Sequence, residues 1–201
     1  QIAINAGVDM VMIPDDYKTF ISDLTALVQS GAVPQSRIDD AVTRILTIKF
    51  ALGLFSTPYA GANLTSSVGS AAHRAVARKA VSESMVLLKN NNSVLPLSKT
   101  ASYRLVVGGS HANDLGLQMG GWSITWQGGS GATTTGTTLW QGIQSAGLSS
   151  SVQLNFVGTN TASSYTGDVG IVAVGENPYA EGVGDSSTLA LSGSDAQEVT
   201  D

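Results

Sequence analysis

Residues 168–185, DVGIVAVGENPYAEGVGD, indicate both the fold and the position of a candidate site. The segment opens with an apolar run, 169–174, which is long enough for one buried strand and too short for a stable helix. An irregular loop follows and carries three carboxylates, those of Glu176, Glu181 and Asp185. Ligands of open α/β sheets bind beyond the carboxyl ends of strands, although loop acids are most often simply solvated.

Two further strand-like runs precede this segment, at 104–107 and 152–157, and each predicts a strand. A helix is predicted between them at 136–146, with Gly147 as its stop. Strands that alternate with helices indicate an α/β fold, with a mainly parallel sheet and helices on both faces. The sequence SGSDAQEVTD at 192–201 predicts the first turn of another helix, with Ser194 or Asp195 as its cap.

The first 53 residues follow a helix, strand, helix pattern. The run VDMVMI at 8–13 predicts a short buried strand, a helix follows Asp15 and Asp16, and 36–39 predicts a capping box for the next helix. This order suits the closing unit of an α/β barrel or part of an open α/β sheet, and periodicity does not choose between them. Residues 54–69 have a linker composition, and a further helix is predicted from about Ala71.

The overall composition excludes several classes of partner. The net charge of −5 and the pI near 4.8 argue against nucleic acid or an anionic membrane, since either favours a basic surface. The sequence has no run of about 18 apolar residues that would predict a membrane span. The chain lacks cysteine, and no signal peptide is visible. Both ends interrupt predicted elements, so we expect an internal piece of a longer protein.

A long glycine-rich loop at 108–135 contains Trp122 and Trp126. Two indoles in such a loop either tuck under it or present stacking faces for a sugar. His73 and His111 lack metal-ligand spacing, and His111 is interpreted as a local hydrogen-bonding residue. A nucleotide site is the weakest alternative, because the G-x-G-x-x-G spacing is missing after the strand at 104–107. Carboxylates and tryptophans without metal or thiol are typical of glycoside cleavage.

The sequence resembles glycoside hydrolase family 3, the β-glucosidase and exo-β-glucanase family. The motifs that carry this resemblance occur in order: AGVDMVMIP (6–14), SRIDDAVTRIL (36–46), VLLKN (86–90), GGWSITWQG (120–128) and VGENPYAEGVGD (174–185). The resemblance implies that residues 1–53 end a (β/α)8 barrel, that 54–69 are a linker, and that 70–201 form an incomplete α/β sandwich domain.

The resemblance also implies roles for individual residues. Glu181 matches the general acid/base, whereas Glu176 is expected to be structural. Trp126 matches the tryptophan that stacks on the sugar, and Trp122 is a second candidate for substrate binding. Met12 matches a methionine that lines the glucose pocket.

The family's nucleophile, an aspartate in a Ser-Asp-Trp-type motif of the barrel, has no match among residues 1–201, and Asp9 belongs to a different motif. The expected function is therefore part of a retaining, exo-acting hydrolase that releases glucose from the non-reducing ends of β-glucosides or β-glucan oligosaccharides. It needs the remainder of the barrel, requires no cofactor or metal, and acts outside the cell or in the periplasm. The alternative is a carbohydrate-binding or regulatory piece without turnover.

Overall fold

The structure, a computed structural model, describes residues 1–59, 61–159 and 165–200. The chain divides into two compact units, Gln1–Val86 and Leu87–Asp201. The domain boundaries at 53 and 70 that the sequence indicates remain a prediction. In the described ranges, no helix is both long and apolar enough to span a bilayer.

The first unit is helical. Glycines in the left-handed region, Gly7 (φ 106°) and Gly31 (φ 76°), follow its first two helices, as expected for residues that end a helix without a Cβ penalty. A 3₁₀ turn, Ala62–Ser67, lies within the segment of linker composition. The helices are α1 (Ile2–Asn5), α2 (Tyr17–Gln29), α3 (Gln35–Ala51) and α4 (Ala71–Ser84).

The strand predicted at 8–13 is wrong for this structure, because these residues form no ladder within the described part of the chain. A strand needs a neighbour to pair its N–H and C=O groups, and no described segment supplies one. Met10 and Met12 are consequently 79% and 89% exposed. The segment is anchored by Arg37 instead, which forms an ion pair with Asp9 and donates from Nε to the Ile4 carbonyl at 2.9 Å.

The capping box predicted at 36–39 is also wrong. Helix α3 begins at Gln35 with Pro34 as its N-cap, and no side chain caps it. The Asp39 carboxylate accepts a hydrogen bond from the side-chain Nε2 of Gln35 at 3.0 Å, and not from a backbone N–H at the start of the helix. A proline with extended ψ (140°) sets the entry to this helix without a capping side chain.

The described residues of the second unit contain a three-stranded parallel sheet, which confirms the predicted α/β class. Its strands are β1 (Tyr103–Gly108), β2 (Val152–Phe156) and β3 (Val169–Val172), in the order β2-β1-β3. Leu105 lies at the centre of the register, opposite Leu154 on one side and Val169 on the other. All three strands lie within or close to the apolar runs that predicted them.

The core of the second unit is built on β1. Leu105, Val107 and Ala112 are buried, and Trp140 lies against Phe156 with ring centroids 5.1 Å apart. The helix predicted at 136–146 is shorter, because Thr138 starts it with a capping box. A short helix inside the glycine-rich loop was not predicted. The helices of this unit are α5 (Leu115–Met119), α6 (Leu139–Gln144) and α7 (Gly193–Thr200).

The strand order indicates where this sheet would bind a ligand. Because the chain runs from β1 to β2 on one side and then crosses to β3 on the other, the order reverses at β1, and such a reversal opens a crevice beyond the carboxyl ends of the strands. Beyond β1 and β3 the backbones stay bonded: Ala173 N–H donates to Gly108 O, and His111 N–H donates to Ala173 O, each at 2.9 Å. The loops that leave β1 and β3 therefore start side by side.

Candidate functional site

Two loops at this edge carry the predicted residues. The tryptophan loop, residues 120–128, follows α5, and the glutamate loop, residues 173–185, follows β3. Gln127 joins them through both atoms of its carboxamide: Oε1 accepts from the Ala180 N–H at 2.9 Å, and Nε2 donates to the Ala180 carbonyl at 3.4 Å. Trp126 and Glu181 are the sequence neighbours of this bonded pair, so these two predicted residues lie on loops whose backbones are joined.

Glycines let the two loops approach this closely. A Cβ added to Gly121 would overlap the carbonyl oxygen of Tyr179, and one added to Gly128 would lie 2.8 Å from Cβ of Pro178. Real Cβ atoms do not come this near to other heavy atoms, so a larger residue at Gly121 forces the backbone apart. The glycines flanking the tryptophans are therefore a packing requirement of the contact.

The two loops hold residues with strained backbone. Trp122 (φ 56°), Ile124 (φ 65°) and Glu181 (φ 58°) lie in the left-handed region, which disfavours residues with a Cβ. Such conformations cost about 1–3 kcal/mol each and persist where the surroundings fix them. Within the tryptophan loop, the Trp122 N–H donates to the Trp126 carbonyl at 2.9 Å and closes a tight turn. Strain of this kind concentrates at functional sites.

The indoles and the acid are accessible. Trp122 and Trp126 are 67% and 52% exposed, with ring centroids 6.4 Å apart and ring planes inclined at 52°. Neither ring is buried beneath the loop, and the predicted role in stacking on a sugar stays a prediction. Glu181 is exposed and begins a 3₁₀ turn, Glu181–Gly184. In general, an accessible carboxylic acid can donate a proton, and an accessible indole face can stack on a sugar.

Glu176 has a partner within its own loop. Its Oε2 accepts a hydrogen bond from the Tyr179 hydroxyl at 2.9 Å, and this bond, with the carboxylate's negative charge, raises the pKa of Tyr179 above its ordinary value of 10.0. The carbonyl of Glu176 lies 3.1 Å from Nε2 of His111. These contacts link Glu176 to Tyr179 and His111, and its structural role stays a prediction.

A partly buried polar cluster of Ser110, His111 and Asp195 lies beside the glutamate loop and was not predicted. The Ser110 hydroxyl donates to Oδ2 of Asp195 at 3.0 Å and lies 2.8 Å from Nδ1 of His111. Asp195 is only 3% exposed, and a cavity of about 380 Å³ borders the cluster. The expected role of His111 in local hydrogen bonding is confirmed, since both ring nitrogens have a partner within their own unit.

The prediction that Ser194 or Asp195 caps the last helix is wrong. Helix α7 starts at Gly193, and the Ser192 hydroxyl accepts the N–H of Asp195 at 3.1 Å, which frees the Asp195 carboxylate to point inward. A sequence signal existed in the S-G-S-D pattern, where two serines compete for the cap. Only the fold shows that Ser110 lies opposite.

Met12, the remaining predicted site residue, belongs to the first unit, where its side chain is exposed. Asp9 on the same segment is engaged by Arg37, consistent with the sequence-based view that it does not replace the missing nucleophile. Over residues 1–59, 61–159 and 165–200, no group of three or more His, Asp or Glu side chains is placed to hold a metal ion.

The described part of the second unit is thus an α/β domain with an acid and two indoles on loops beyond its strands. A family model described as glycosyl hydrolase family 3 C-terminal domain matches residues 85–201, and one described as glycosyl hydrolase family 3 N terminal domain matches residues 1–48. The chain belongs to glycoside hydrolase family 3. The resemblance stated from the motifs is thus confirmed.

Among curated relatives, the lysosomal beta glucosidase of Dictyostelium discoideum is 34% identical over 94% of this chain and 25% of its own length. The periplasmic beta-glucosidase of Salmonella typhimurium is also 34% identical, over 73% of this chain and 19% of its own length. The chain therefore spans about a quarter or less of these relatives.

Solved structures show the same relationship. The exo-1,3/1,4-beta-glucanase of a Pseudoalteromonas species superposes with a TM-score of 0.78 and 39% identity, over 92% of this chain and 24% of that one. The beta-glucosidase of Listeria innocua in complex with glucose gives a TM-score of 0.80 and 27% identity, over 98% of this chain and 27% of that one. Both matches cover nearly all of the present chain, so they include both of its compact units.

Proposed function

We propose that this chain is part of a retaining, exo-acting hydrolase of β-glucosides or β-glucan oligosaccharides, and that it supplies the general acid/base and a sugar-stacking face. The observation that supports the proposal is the pair of hydrogen bonds between Gln127 and Ala180, which joins the loop of Trp126 to the loop of Glu181 beyond the strands of a parallel sheet. Membership of glycoside hydrolase family 3 supports the same reaction class.

In the proposed reaction, the carboxylic acid of Glu181 donates its proton to the glycosidic oxygen as the leaving group departs. An aspartate of the barrel domain, outside residues 1–201, attacks the anomeric carbon and forms a glycosyl-enzyme intermediate. The Glu181 carboxylate then takes a proton from water, and the resulting hydroxide displaces the aspartate. A retaining route needs the two carboxyl groups about 5–5.5 Å apart.

The exposed indole of Trp126 would cover the apolar face of the sugar on the leaving-group side, where its C–H groups are presented. Trp122 offers a second face 6.4 Å away, and Met12 would line the glucose pocket. The relatives' names indicate the substrate class: a Listeria innocua beta-glucosidase variant was solved with laminaribiose, and another structure of that enzyme contains glucose.

The names of the relatives also indicate where in or outside the cell the enzyme acts. Two relatives are periplasmic enzymes and one is lysosomal. We propose an extracellular or periplasmic enzyme, which is where β-glucans meet an exo-acting hydrolase.

Glu181→Gln in the full-length hydrolase, meaning this chain with a complete barrel domain, tests the assignment. We expect kcat/KM for a β-linked disaccharide to fall by roughly 10²–10⁴-fold, the range of general acid–base catalysis. An aryl glucoside with a good leaving group should keep most of its kcat/KM, because its departure needs no proton. Glu176→Gln is the matched control and should retain activity on both substrates. Wild-type rates for Glu181→Gln on both substrates would refute the proposal.

A carbohydrate-binding or regulatory role without turnover is the second candidate. Two accessible indoles can hold a sugar by themselves, and the nucleophile motif has no match in the sequence. Assay of the 201-residue chain alone, and after mixing with the missing barrel segment, separates the two functions. Hydrolysis by the chain alone would exclude the second candidate, whereas binding without hydrolysis under both conditions would favour it.

A further inference from the structure

We propose that Gln127 is a positioning residue whose carboxamide fixes the orientation of Glu181 relative to a sugar on Trp126. This inference rests on the proposed function and deepens it by naming what holds the acid in place. Gln127 itself touches neither reacting atom; it acts through the backbone of Ala180.

The geometry is a two-point clamp. The Gln127 carboxamide accepts from the N–H and donates to the C=O of one residue, Ala180, much as a neighbouring strand would. Ala180 is only 4% exposed, and Gln127 is half-buried, so water competes weakly for these bonds. A clamp made to both polar groups of one residue fixes the rotation of its backbone as well as its position.

The bond to the Ala180 carbonyl acts directly on Glu181. That carbonyl belongs to the peptide plane between residues 180 and 181, and the orientation of this plane defines φ of Glu181. Ala180 is extended (φ −135°, ψ 146°), whereas Glu181 switches abruptly to φ 58°. A left-handed glutamate persists only where its surroundings fix it, and Gln127 supplies a bond at the peptide where the switch occurs.

The same residue connects the acid to the stacking face. Gln127 directly follows Trp126, whose carbonyl accepts the Trp122 N–H, so the indole and the clamp belong to one closed turn. Gly121 and Gly128 on either side of this turn permit the approach to the glutamate loop. A sugar held by the turn is therefore held in register with Glu181.

Gln127→Ala and Gln127→Glu in the full-length hydrolase test the inference. Alanine removes both bonds; glutamate keeps the size and the acceptor but places a carboxylate against the Ala180 carbonyl. We expect kcat/KM for the disaccharide to fall about 10²-fold, the cost of displacing a catalytic group by about 1 Å. The aryl glucoside with a good leaving group should lose only a few-fold, which is the signature of an impaired acid. Gln153→Ala, at an exposed position of β2, is the control and should change neither.

Glu181→Gln assayed in parallel separates the two ways to fail. Suppose that Glu181→Gln loses more kcat/KM on the disaccharide than on the aryl glucoside, whereas the Gln127 variants lose equally on both substrates or on neither. The positioning role is then refuted, and the proposed function stands. If Glu181→Gln shows no discrimination, the proposed function fails first. Unfolding midpoints are measured throughout, and if both Gln127 variants fail to fold, Gln127 serves stability and the inference is overturned.

Discussion

The two ends of the sheet in the second unit are built differently. At the amino end, Asp168 accepts from the Arg104 backbone N–H at 2.8 Å and pairs with its guanidinium, while Ser151 donates to the Thr100 carbonyl at 3.1 Å. At the carboxyl end, Trp122 and Glu181 hold left-handed backbone, and two indoles face outward. The amino end is held by hydrogen bonds and an ion pair between neighbouring segments. The carboxyl end holds accessible side chains on backbone conformations that cost free energy.

The left-handed backbone of Trp122 and Glu181 costs folding free energy, and the hydrogen-bonded pairs at the amino end carry no such cost. A chain optimised for stability alone would place glycine or asparagine at φ near 60°, as in ordinary turns. The carboxyl end instead keeps a tryptophan and a glutamate there, which supports a site at that end. Substitutions at the two ends should therefore separate activity from stability.

The largest effect is expected from Gly121→Ala. The added Cβ would meet the Tyr179 carbonyl, a backbone atom that cannot rotate away, so the two loops must separate. We expect kcat/KM in the full-length hydrolase to fall more than about 10²-fold, since Glu181 moves with its loop. Gly142→Ala in α6, where a Cβ meets nothing within 4 Å, is the control and should stabilise by up to about 1 kcal/mol. Unchanged activity in Gly121→Ala would show that the contact is dispensable.

A smaller effect is expected from Trp126→Ala. An aromatic contact contributes about 0.5–1.5 kcal/mol in addition to the burial of its surface, so its loss should raise KM by up to roughly tenfold with kcat little changed. The unfolding midpoint should also change little, because the ring is half exposed. Trp122→Ala is the matched comparison and should raise KM less. A larger increase for Trp122→Ala would reverse the assigned order of the two indoles.

The smallest effect is expected at the amino end, from Asp168→Asn. The hydrogen bonds from the Arg104 side chain and backbone hold the pKa of Asp168 below its ordinary value of 3.8. A lowered folded-state pKa gives stability that is present above the unfolded pKa and is lost as pH falls through the folded one. The variant should thus be slightly less stable than wild type above about pH 4, with the gap closing below it. Denaturant midpoints against pH measure this.

Activity should be unaffected in Asp168→Asn, which is what distinguishes the amino end from the carboxyl end. Asp185→Asn, an exposed acid of the glutamate loop, is the control for charge removal. If the difference in unfolding free energy between wild type and Asp168→Asn stays constant down to acid pH, the ion pair with Arg104 does not contribute to stability through the titration of Asp168.

The regular part of the fold could be predicted from sequence because its signals are local. The strand-like runs at 104–107, 152–157 and 169–174 are rich in Val, Leu and Ile, which favour strands locally, and Leu105 and Val107 of the central strand are buried. The run at 8–13 has the same local signal and forms no strand, since pairing depends on a partner elsewhere. Helix α5 was missed because its glycine and its neighbours in the loop obscure any apolar period.

The candidate site could be predicted only as far as residue types. The motifs single out Trp126 and Glu181, but no local pattern shows that Gln127 bonds Ala180, 53 residues away, or that Ser110 faces Asp195. These are contacts between loops whose backbones are set by glycines and by left-handed residues. Periodicity carries no information about them, because it describes elements and not the irregular segments between them.

The strand order also constrains how the second unit forms. β1 is synthesised first yet lies in the middle, and its ties to the β3 end span 64 residues, as between Arg104 and Asp168. Contacts of such sequence separation close slowly, so this unit should acquire its native state after the locally connected helices of the first. The glutamate loop leaves the last strand of the described sheet, so the acid should be among the last groups to reach its working geometry. When the full-length hydrolase refolds, recovered activity should therefore lag behind recovered helicity.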